Sequence, residues 1–451
     1  MTDASPAEVG KIRLPHLGAV VAGNALEFYD FLTYGYFAIY IGRTFFPSHN
    51  ETTSLLASLA TFGAGFMTRP VGAIIIGSMG DRVGRKPAMV FSFALMGVAI
   101  IGLSLTPSYE QIGMAAPVLA IGFRLLQGFA LGGEVGPTTA YLVEAAPAHR
   151  RGLYSSMQST TQDISVLASG LVGVVLANML NDQQLQDYGW RIAMLLGAII
   201  VPWGLAMRRN LPESLHAADD AALAPDAGSS HMTVRQHLKP YISLIIFGLM
   251  MLMAGTIGSY VKGYMTTYSI ATLHMPANIA FGVTVVTAIV SIMMGPTSGI
   301  LSDKFGRKRI MLTPASILLV SIIPCFWVID HFRTTLALYG CMCYLSMLQT
   351  LAFVPVICTL TESLPRVVRA GAVATVYAFA ISIFGGSTQF TITWILDLTK
   401  DPMAPAYYWT VALAIGMTAM AMVRESAPVK TRGVDSYTRN TPPESPPVSA
   451  G

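Results

Sequence analysis

Long apolar segments alternate with short polar ones along almost the whole chain. A helix that crosses a membrane needs about 20 mostly apolar residues, and the pattern predicts spans at 17–41, 54–79, 88–106, 115–145, 153–179 and 190–207. A second set is predicted at 240–270, 278–301, 310–329, 335–363, 371–396 and 406–423. We therefore expect an all-α polytopic membrane protein with twelve transmembrane helices.

Polar segments divide the chain between and beyond these spans. The segment between the sixth and seventh spans is rich in Ala and Asp, which is typical of a flexible linker. The last segment is rich in Pro, Ser and Thr, which is typical of disorder. The predicted organisation is a cytoplasmic N-terminus (1–16), an N-terminal six-helix bundle (17–207), a cytoplasmic linker (208–239), a C-terminal six-helix bundle (240–423) and a disordered cytoplasmic tail (424–451).

The composition excludes most water-soluble classes of protein. Hydrophobic residues make up 53% of the chain and charged residues 12%, whereas an ordinary globular chain is about 25% charged. The net charge of +4 is too small and too scattered to favour binding to nucleic acid. The four cysteines lie in apolar segments without a CxxC motif, so we expect them to pack as small apolar side chains, with no bound metal.

Basic residues predict the orientation of the spans. Most of the 28 Lys and Arg lie in polar segments on the same side as the N-terminus, and the opposite side holds Arg43, Arg191, Arg333 and Lys400. Because cytoplasmic loops carry the excess of Lys and Arg, we expect a multi-pass protein of the inner (plasma) membrane with both termini in the cytoplasm.

Two motifs occur once in each half of the chain at nearly the same offset. The first is Gly77-x-x-x-Asp81-Arg82-x-Gly84-Arg85-Lys86, which returns 222 residues later as Gly299-x-x-x-Asp303-Lys304-x-Gly306-Arg307-Lys308. The second is Glu144-x-x-Pro147-x-x-x-Arg151, which returns 218 residues later as Glu362-x-x-Pro365-x-x-x-Arg369. Two unrelated motifs at nearly one offset indicate a duplicated six-helix unit, with a cleft between the two pseudo-symmetric bundles.

The charged groups of these motifs predict an inner gate, in which acids pair with bases and separate when the cavity opens inward. Its predicted members are Asp81, Arg85, Glu144, Arg151, Asp303, Arg307, Glu362 and Arg369. The alternative is that the loops only set the orientation of the spans, for which basic residues alone suffice.

The loop motifs resemble the signature loop of the major facilitator superfamily in both halves. Within that superfamily, the metabolite:proton symporter family is resembled by Gly23-Asn24-Ala25-Leu26-Glu27-Phe28-Tyr29-Asp30-Phe31, Arg69-Pro70-Val71-Gly72-Ala73 and Arg124-Leu125-Leu126-Gln127-Gly128-Phe129. Its citrate and tricarballylate symporters are most similar at Gln158-Ser159-Thr160-Thr161-Gln162 and Gly189-Trp190-Arg191-Ile192. The resemblance implies alternating access, coupling to protons, a small-molecule substrate and a monomeric protein.

Seven ionisable side chains lie within the predicted spans, where each one costs at least about 2.5–3.5 kcal/mol. They are Glu27, Asp30, Arg69, Arg124, Glu134, Asp163 and Lys262. We expect most of them to face a water-filled cavity or one another.

The first span carries the candidate proton site. Asn24, Glu27 and Asp30 follow at three-residue steps and so share one face of a helix. Two carboxylates one turn apart in a low dielectric repel, so we expect one of them to hold a proton near neutral pH. The alternative is a structural ion pair, for instance between Asp30 and Arg69.

Arg124 is the first candidate for binding an anionic substrate, since it lies near the middle of the fourth span and its fork matches a carboxylate. Gln127 and Glu134 follow on nearly the same face of the helix. The alternative is a permanent pair of Arg124 with Glu134 or Glu27. Glu134 follows Gly132-Gly133 and is either structural or a further proton-coupling residue.

The fifth span has a polar stripe with Gln158 and Gln162, which are candidates for hydrogen bonds to a substrate or to another helix. Asp163 lies about 100° from Gln162 and is expected to meet a neighbouring helix. Asp163 and Arg69 are candidates for either a structural or a coupling role. Lys262 in the seventh span either reaches the membrane interface or offers a second positive charge to a multivalent anion. The further substrate-binding candidates are Asn24, Gln127, Gln349 and Tyr377.

These residues together predict a proton-coupled symporter that imports a small organic anion, citrate or a related di- or tricarboxylate, without a cofactor. The expected partners are the anion, protons and the lipid bilayer. The alternatives are a zwitterion such as betaine or proline, a monocarboxylate, or a sensor that does not transport. The chain has no Walker loop, HExxH or GxSxG motif, so neither an enzyme nor an ATP-driven pump is expected.

Overall fold

The computed structural model describes residues 28–83, 85–132, 148–198, 241–364, 373 and 375–431. In the first half, the helices are α1 (28–36 and Ala38–Phe45), α2 (Glu51–Met67 and Arg69–Val83), α3 (Arg85–Leu105), α4 (Ala115–Leu131), α5 (Arg151–Met179) and α6 (190–198). In the second half, they are α7 (Ile242–Ala271), α8 (Ala277–Phe305), α9 (Arg307–Phe332), α10 (Thr335–Ser363), α11 (Thr375–Thr399) and α12 (Ala404–Met422).

This architecture confirms the predicted all-α fold, two groups of six helices without a strand in the described part of the chain. Seven of the described helices are long and apolar enough to cross a membrane, by length and composition. The protein is therefore a multi-pass membrane protein. We call the end of the bundle where α8 meets α9, at Lys304 to Arg309, the basic end, and the other end the opposite end.

Local sequence signals mark where helices start and stop at the opposite end of the bundle. Asn50 starts α2, because its side-chain oxygen accepts a hydrogen bond from the Thr52 N–H at 2.9 Å. Arg333 and Lys400 end α9 and α11 in the left-handed conformation, with φ values of 47° and 54°. Each also forms an ion pair with the Asp three residues earlier. These exposed pairs contribute little to stability.

A seam of small residues brings α2 and α4 close together. A Cβ atom on Gly128 would overlap the carbonyl of Gly65, and one on Gly132 would overlap the carbonyl of Arg69. Thr68 adds a hydrogen bond to the Leu125 carbonyl at 2.8 Å. Inside a membrane the lipid tails are as apolar as the helices, so the hydrophobic effect does not drive helices together. Helices associate there through close packing, which small residues allow.

The two halves meet along α5 with α8 and along α2 with α11. Gly152 and Gly299 touch near the basic end, where a Cβ atom on Gly299 would lie 2.6 Å from the Gly152 oxygen. Gly63 and Gly386 touch in the same way between α2 and α11, at 2.5 Å. Asn278 donates to Asn178 at 3.3 Å near the opposite end of the α5–α8 pair. These contacts border the space between the halves.

The first eight residues of the predicted tail, 424–431, lie against the basic end, with a short helix at Pro428–Thr431 and with Ala427 fully buried. The composition of the whole segment hid this contact, because the Pro-rich part begins only after it.

Candidate functional site

A partly open cavity of about 120 Å³ lies between the two halves. It is lined by α1, α2 and α5 from the first half and by α7, α8 and α11 from the second. The lining residues are Phe28, Leu32, Gly35, Tyr36, Phe62, Gln162, Asp163, Val166, Ser259, Tyr260, Lys262, Gly263, Thr284, Thr287, Ala288, Ser291 and Gln389. Two of these, Asp163 and Lys262, carry charge.

Lys262 is held by hydroxyl groups rather than at the membrane interface. Its Nζ donates hydrogen bonds to Ser291 Oγ and Ser346 Oγ, each at 3.2 Å. Ser291 and Ser346 are bonded to each other at 2.9 Å, and Thr350 donates to Ser291 at 3.1 Å. Ser346 also bonds to the Thr287 carbonyl at 3.2 Å. We call Thr287, Ser291, Ser346 and Thr350 the hydroxyl cluster. Through Ser291 and Ser346 it holds the Lys262 ammonium group in the second half.

Asp163 faces the same cavity from α5, in the first half. Its position about 100° from Gln162 on the helix predicts a contact with a neighbouring helix. In the structure, both Gln162 and Asp163 line the cavity. No ion pair joins Asp163 to Lys262 in the described structure. Gln162 donates to the Tyr377 hydroxyl at 3.4 Å, which links α5 to α11 across the two halves. The two opposite charges therefore line the same cavity from different halves.

A second pair of charged residues, Asp30 and Arg124, is buried inside the first half together with the neutral Gln127. We call these three residues the N-half cluster. Gln127 lies between the other two, because its side-chain oxygen accepts from Arg124 Nη1 and its amide donates to Asp30 Oδ2. Asp30 and Arg124 are both fully buried. Asp30 interacts electrostatically with Arg124. Arg124 Nε and Nη2 have no hydrogen-bond partner in the described part of the chain.

Aromatic rings separate the N-half cluster from the cavity. The guanidinium carbon of Arg124 lies 4.3 Å from the ring centres of Phe31 and Tyr34 and 5.1 Å from that of Phe62, which lines the cavity. The guanidinium carbon of Arg69 also lies 4.3 Å from the ring centre of Phe31, so this ring contacts two cations. Neither Asp30 nor Arg124 lines the cavity in this structure.

The other predicted binding residues are spread over both halves. Gln158 is buried on α5. Gln349 donates to the Gly255 carbonyl at 3.2 Å, within the second half. The cavity lining includes neither of them, nor Tyr377. Asn24, Glu27 and Glu134 lie outside the described residues, so their predicted roles stay predictions.

At the basic end, the structure brings together three residues of the predicted inner gate. Arg307 forms ion pairs with Asp303 at 2.7 Å and with Glu362 at 3.2 Å. Asp303 also reaches the other half, because its two oxygens accept from the N–H groups of Gly152 at 2.9 Å and Leu153 at 3.0 Å. A carboxylate at a helix N-terminus interacts favourably with the positive end of the helix dipole and so stabilises the helix. One aspartate therefore joins α8 to the first turn of α5.

The matching residues of the first half are described only in part. Arg151 begins α5. The side chains of Asp81 and Arg85 lie outside the described part of the structure, as do Glu144 and Arg369. The symmetric ion pairs predicted there stay predictions.

Glu425 is a basic-end residue that the sequence analysis missed. Its carboxylate accepts from the backbone N–H groups of Arg307 at 2.8 Å and Lys308 at 3.1 Å, which caps α9. Ser426 donates to Glu362 at 2.9 Å. Gly306 makes the cap possible, since its φ of 102° reverses the chain between α8 and α9. The only sequence signal was an acid beyond the last span, which by itself indicates nothing.

The hydroxyl cluster was also missed, although its spacing was visible. Thr287 and Ser291 lie one turn apart on α8, and Ser346 and Thr350 lie one turn apart on α10. Such pairs on two apolar helices predict a shared polar contact inside the membrane.

Comparison with known proteins identifies similar transporters over nearly the whole chain. The citrate-proton symporter of Klebsiella pneumoniae is 33% identical over 426 residues, 93% of this chain and 94% of that protein. The alpha-ketoglutarate permease of Escherichia coli (strain K12) is 34% identical over 394 residues, 87% of this chain and 89% of that protein. A putative proline/betaine transporter of Staphylococcus aureus (strain MSSA476) is 30% identical over 418 residues, 91% and 88% respectively.

The fold is shared with solved structures at lower identity. The crystal structure of a D-xylose-proton symporter has a TM-score of 0.72 at 16% identity, and the match covers 90% of this chain and 96% of that one. The family model of the Major Facilitator Superfamily matches residues 20–388. With a match of that length and the relatives above, the resemblance drawn from the sequence motifs is confirmed, and this chain belongs to the Major Facilitator Superfamily.

Proposed function

We propose that this protein is a proton-coupled symporter that imports a small organic anion by alternating access. The observation that carries the proposal is the Lys262 ammonium in a cavity lined by both halves, since an ionisable group inside a membrane marks a substrate or ion pathway. We assign citrate or a related di- or tricarboxylate as the substrate, because relatives at 33% and 34% identity are named a citrate-proton symporter and an alpha-ketoglutarate permease.

The N-half cluster is the proposed partner of this cavity in proton coupling. Asp30 is fully buried and bonded through Gln127 to Arg124. A proton on Asp30 would release Arg124, whose Nε and Nη2 lack a hydrogen-bond partner in the described residues, towards a carboxylate of the substrate. Glu27 and Glu134 remain further candidates for the coupling proton.

Alternation requires that the contacts between the halves break in turn. The proposed inner gate at the basic end joins Asp303 and Arg307 to the start of α5. In this proposal, both termini lie in the cytoplasm, so the basic end is the cytoplasmic side of the inner membrane. The driving force is the proton gradient, the chain acts as a monomer, and no cofactor takes part.

A zwitterionic substrate is the second candidate, and the cavity gives a specific reason for it. Asp163 and Lys262 present one negative and one positive charge across the same space, beside the aromatic rings of Tyr36 and Tyr260. A carboxylate could meet the lysine while a quaternary ammonium met the rings and the acid. A relative at 30% identity is named a putative proline/betaine transporter.

Uptake into proteoliposomes tests the proposal. Purified protein would be given labelled citrate, alpha-ketoglutarate, acetate or glycine betaine, with and without an inward proton gradient. We expect accumulation of citrate or alpha-ketoglutarate that requires the gradient, is abolished by an uncoupler and brings protons into the vesicles. Carboxylate uptake that ignores the gradient would overturn proton symport, and uptake of betaine alone would replace the substrate class.

A further inference from the structure

We propose that Asp163 is the proton-carrying counter-ion of Lys262, so that a carboxylate binds to Lys262 only when Asp163 takes up a proton, which then moves with the substrate. The inference rests on the proposed function and adds a second proton site, separate from Asp30. Of the structural and coupling roles that the sequence leaves open for Asp163, it assigns the coupling role and names Lys262 as the partner.

The charges of the cavity support this assignment. Among the described residues of its lining, Asp163 is the acid and Lys262 the base, so their formal charges cancel. A carboxylate that enters this space is attracted by Lys262 and repelled by Asp163 at similar range. Protonation of Asp163 removes the repulsion and leaves a net charge of +1, which matches one carboxylate.

Lys262 has a donor left for that carboxylate. An ammonium group has three N–H donors, and the structure uses two of them, for Ser291 and Ser346. The hydroxyl cluster holds the lysine stem within the second half, so the position of its charge does not depend on Asp163. The third N–H is available to an oxygen in the cavity.

The groups that face Asp163 from neighbouring helices leave Lys262 as its partner. From α1 there is Tyr36, and from α7 there are Tyr260 and Lys262. From α11, Tyr377 bonds to the adjacent Gln162. The described parts of α8 and α10 bring hydroxyl groups to this site. Among these groups, Lys262 is therefore the cation that holds Asp163 in its charged form.

The two residues belong to different halves, which ties their charge state to the movement between halves. Asp163 lies on α5 and Lys262 on α7, and both line the cavity. In the empty carrier, their attraction draws the halves together. Protonation of Asp163 removes that attraction, and a substrate carboxylate bound to Lys262 takes the place of the lost charge. A carrier with a proton but without substrate therefore lacks this attraction between its halves.

The variant Asp163→Asn tests the assignment, because an amide has nearly the shape of a protonated carboxyl. We expect alpha-ketoglutarate, whose two carboxylates stay ionised over this range, to bind the purified variant equally well at pH 6 and pH 8, whereas wild-type affinity falls at least about fivefold. Addition of alpha-ketoglutarate to unbuffered protein should make the variant take up fewer protons than the wild type. Citrate counterflow should persist, while gradient-driven accumulation falls at least about tenfold. The matched control is Asp330→Asn, which removes an acid at an exposed ion pair of α9.

The variant Lys262→Gln tests the other partner. We expect citrate affinity to fall at least about tenfold at both pH values, while Lys400→Gln, at the exposed end of α11, leaves it unchanged. If Asp163→Asn does not fold, the variant Asp163→Glu replaces it in the test. Asp163→Glu keeps a titratable acid, so we expect it to retain the pH dependence, with a shifted midpoint.

The outcomes separate this inference from the proposed function. Wild-type protein that binds and carries no carboxylate would overturn the proposed function itself. Wild-type proton-coupled citrate transport together with an unchanged pH dependence in Asp163→Asn would overturn only the inference. Loss of glycine betaine binding in Asp163→Asn, with no effect on citrate, would instead make Asp163 the site of a quaternary ammonium group.

Discussion

The N-half cluster and the cavity pair contain the same kinds of charge in very different surroundings. Asp30 and Arg124 lie in one half, are fully buried and are joined through Gln127. Asp163 and Lys262 come from different halves and face an open cavity without a direct ion pair in the described structure. Removing one charge from a dry, bonded set leaves the other uncompensated. Removing one charge beside a cavity leaves the other accessible to water or to a ligand. We therefore expect removal of a charge from the first cluster to lower stability as well as coupling, and removal of a charge beside the cavity to lower mainly transport.

The largest effect on stability is expected for Arg124→Ala. It leaves the buried Asp30 carboxylate with only an amide partner in the described structure, and breaking a buried pair costs about 3–5 kcal/mol. Thermal unfolding of the purified protein in detergent measures the loss. Asp30→Asn added to Arg124→Ala should recover part of it, and Arg43→Ala, at an exposed pair with Glu51, serves as the control. A variant as stable as the wild type would contradict the structural role of this cluster.

The variant Phe62→Ala is expected to remove the difference between the two regions. Deleting a buried Phe costs roughly 3 kcal/mol, and here it also opens a path from the cavity towards Arg124 and Asp30. Asp30 should then react faster with a carbodiimide, as measured by mass spectrometry. Phe326→Ala removes a buried ring in the second half, so it should lower stability without changing this reaction. Equal Asp30 reactivity in wild type and Phe62→Ala would show that the aromatic layer is no barrier.

The variant Asp303→Asn tests a contact between the halves that is not a cavity contact. It weakens the ion pair with Arg307 and the hydrogen bonds to Gly152 and Leu153. Hydrogen bonds to a charged group contribute about 1.5–3 kcal/mol, so we expect a loss in that range and a basic end that opens more often. Labelling of single cysteines at this end reports the opening. Unchanged labelling would mean that Asp303 supports only the fold of its own half.

The smallest effect on stability is expected for Lys262→Gln, below about 1 kcal/mol, because a neutral amide still bonds to Ser291 or Ser346. Transport should nevertheless fall at least about tenfold. Unfolding and uptake measured on the same preparation give both numbers. A loss of stability as large as that of Arg124→Ala would make Lys262 a structural residue and remove the contrast between the two regions.

The sequence predicted the fold well because its signals are local. Span lengths follow from runs of apolar residues, and the spacing of the duplicated motifs is enough to place Asp303, Arg307 and Glu362 at one end of the bundle, where they form ion pairs. Ion pairs four residues apart, or at matching ends of neighbouring helices, follow from helix geometry.

The sequence could not predict which charges share a cavity. That depends on how each helix is rotated and on what covers it, and neither is a property of a single segment. Arg124 has the spacing of a substrate ligand, yet Phe31, Tyr34 and Phe62 cover it. Asp163 was assigned to a helix contact because it lies beside the polar stripe, but the cavity is wider than one stripe.

The ordered segment that follows α12 has a practical consequence for anyone who shortens or labels this chain. Glu425 binds the first backbone amides of a helix more than a hundred residues earlier in the sequence. A reporter protein or affinity tag joined directly after Arg424 would remove that acid and loosen the start of α9, whereas the same fusion made beyond Thr431 would leave it in place.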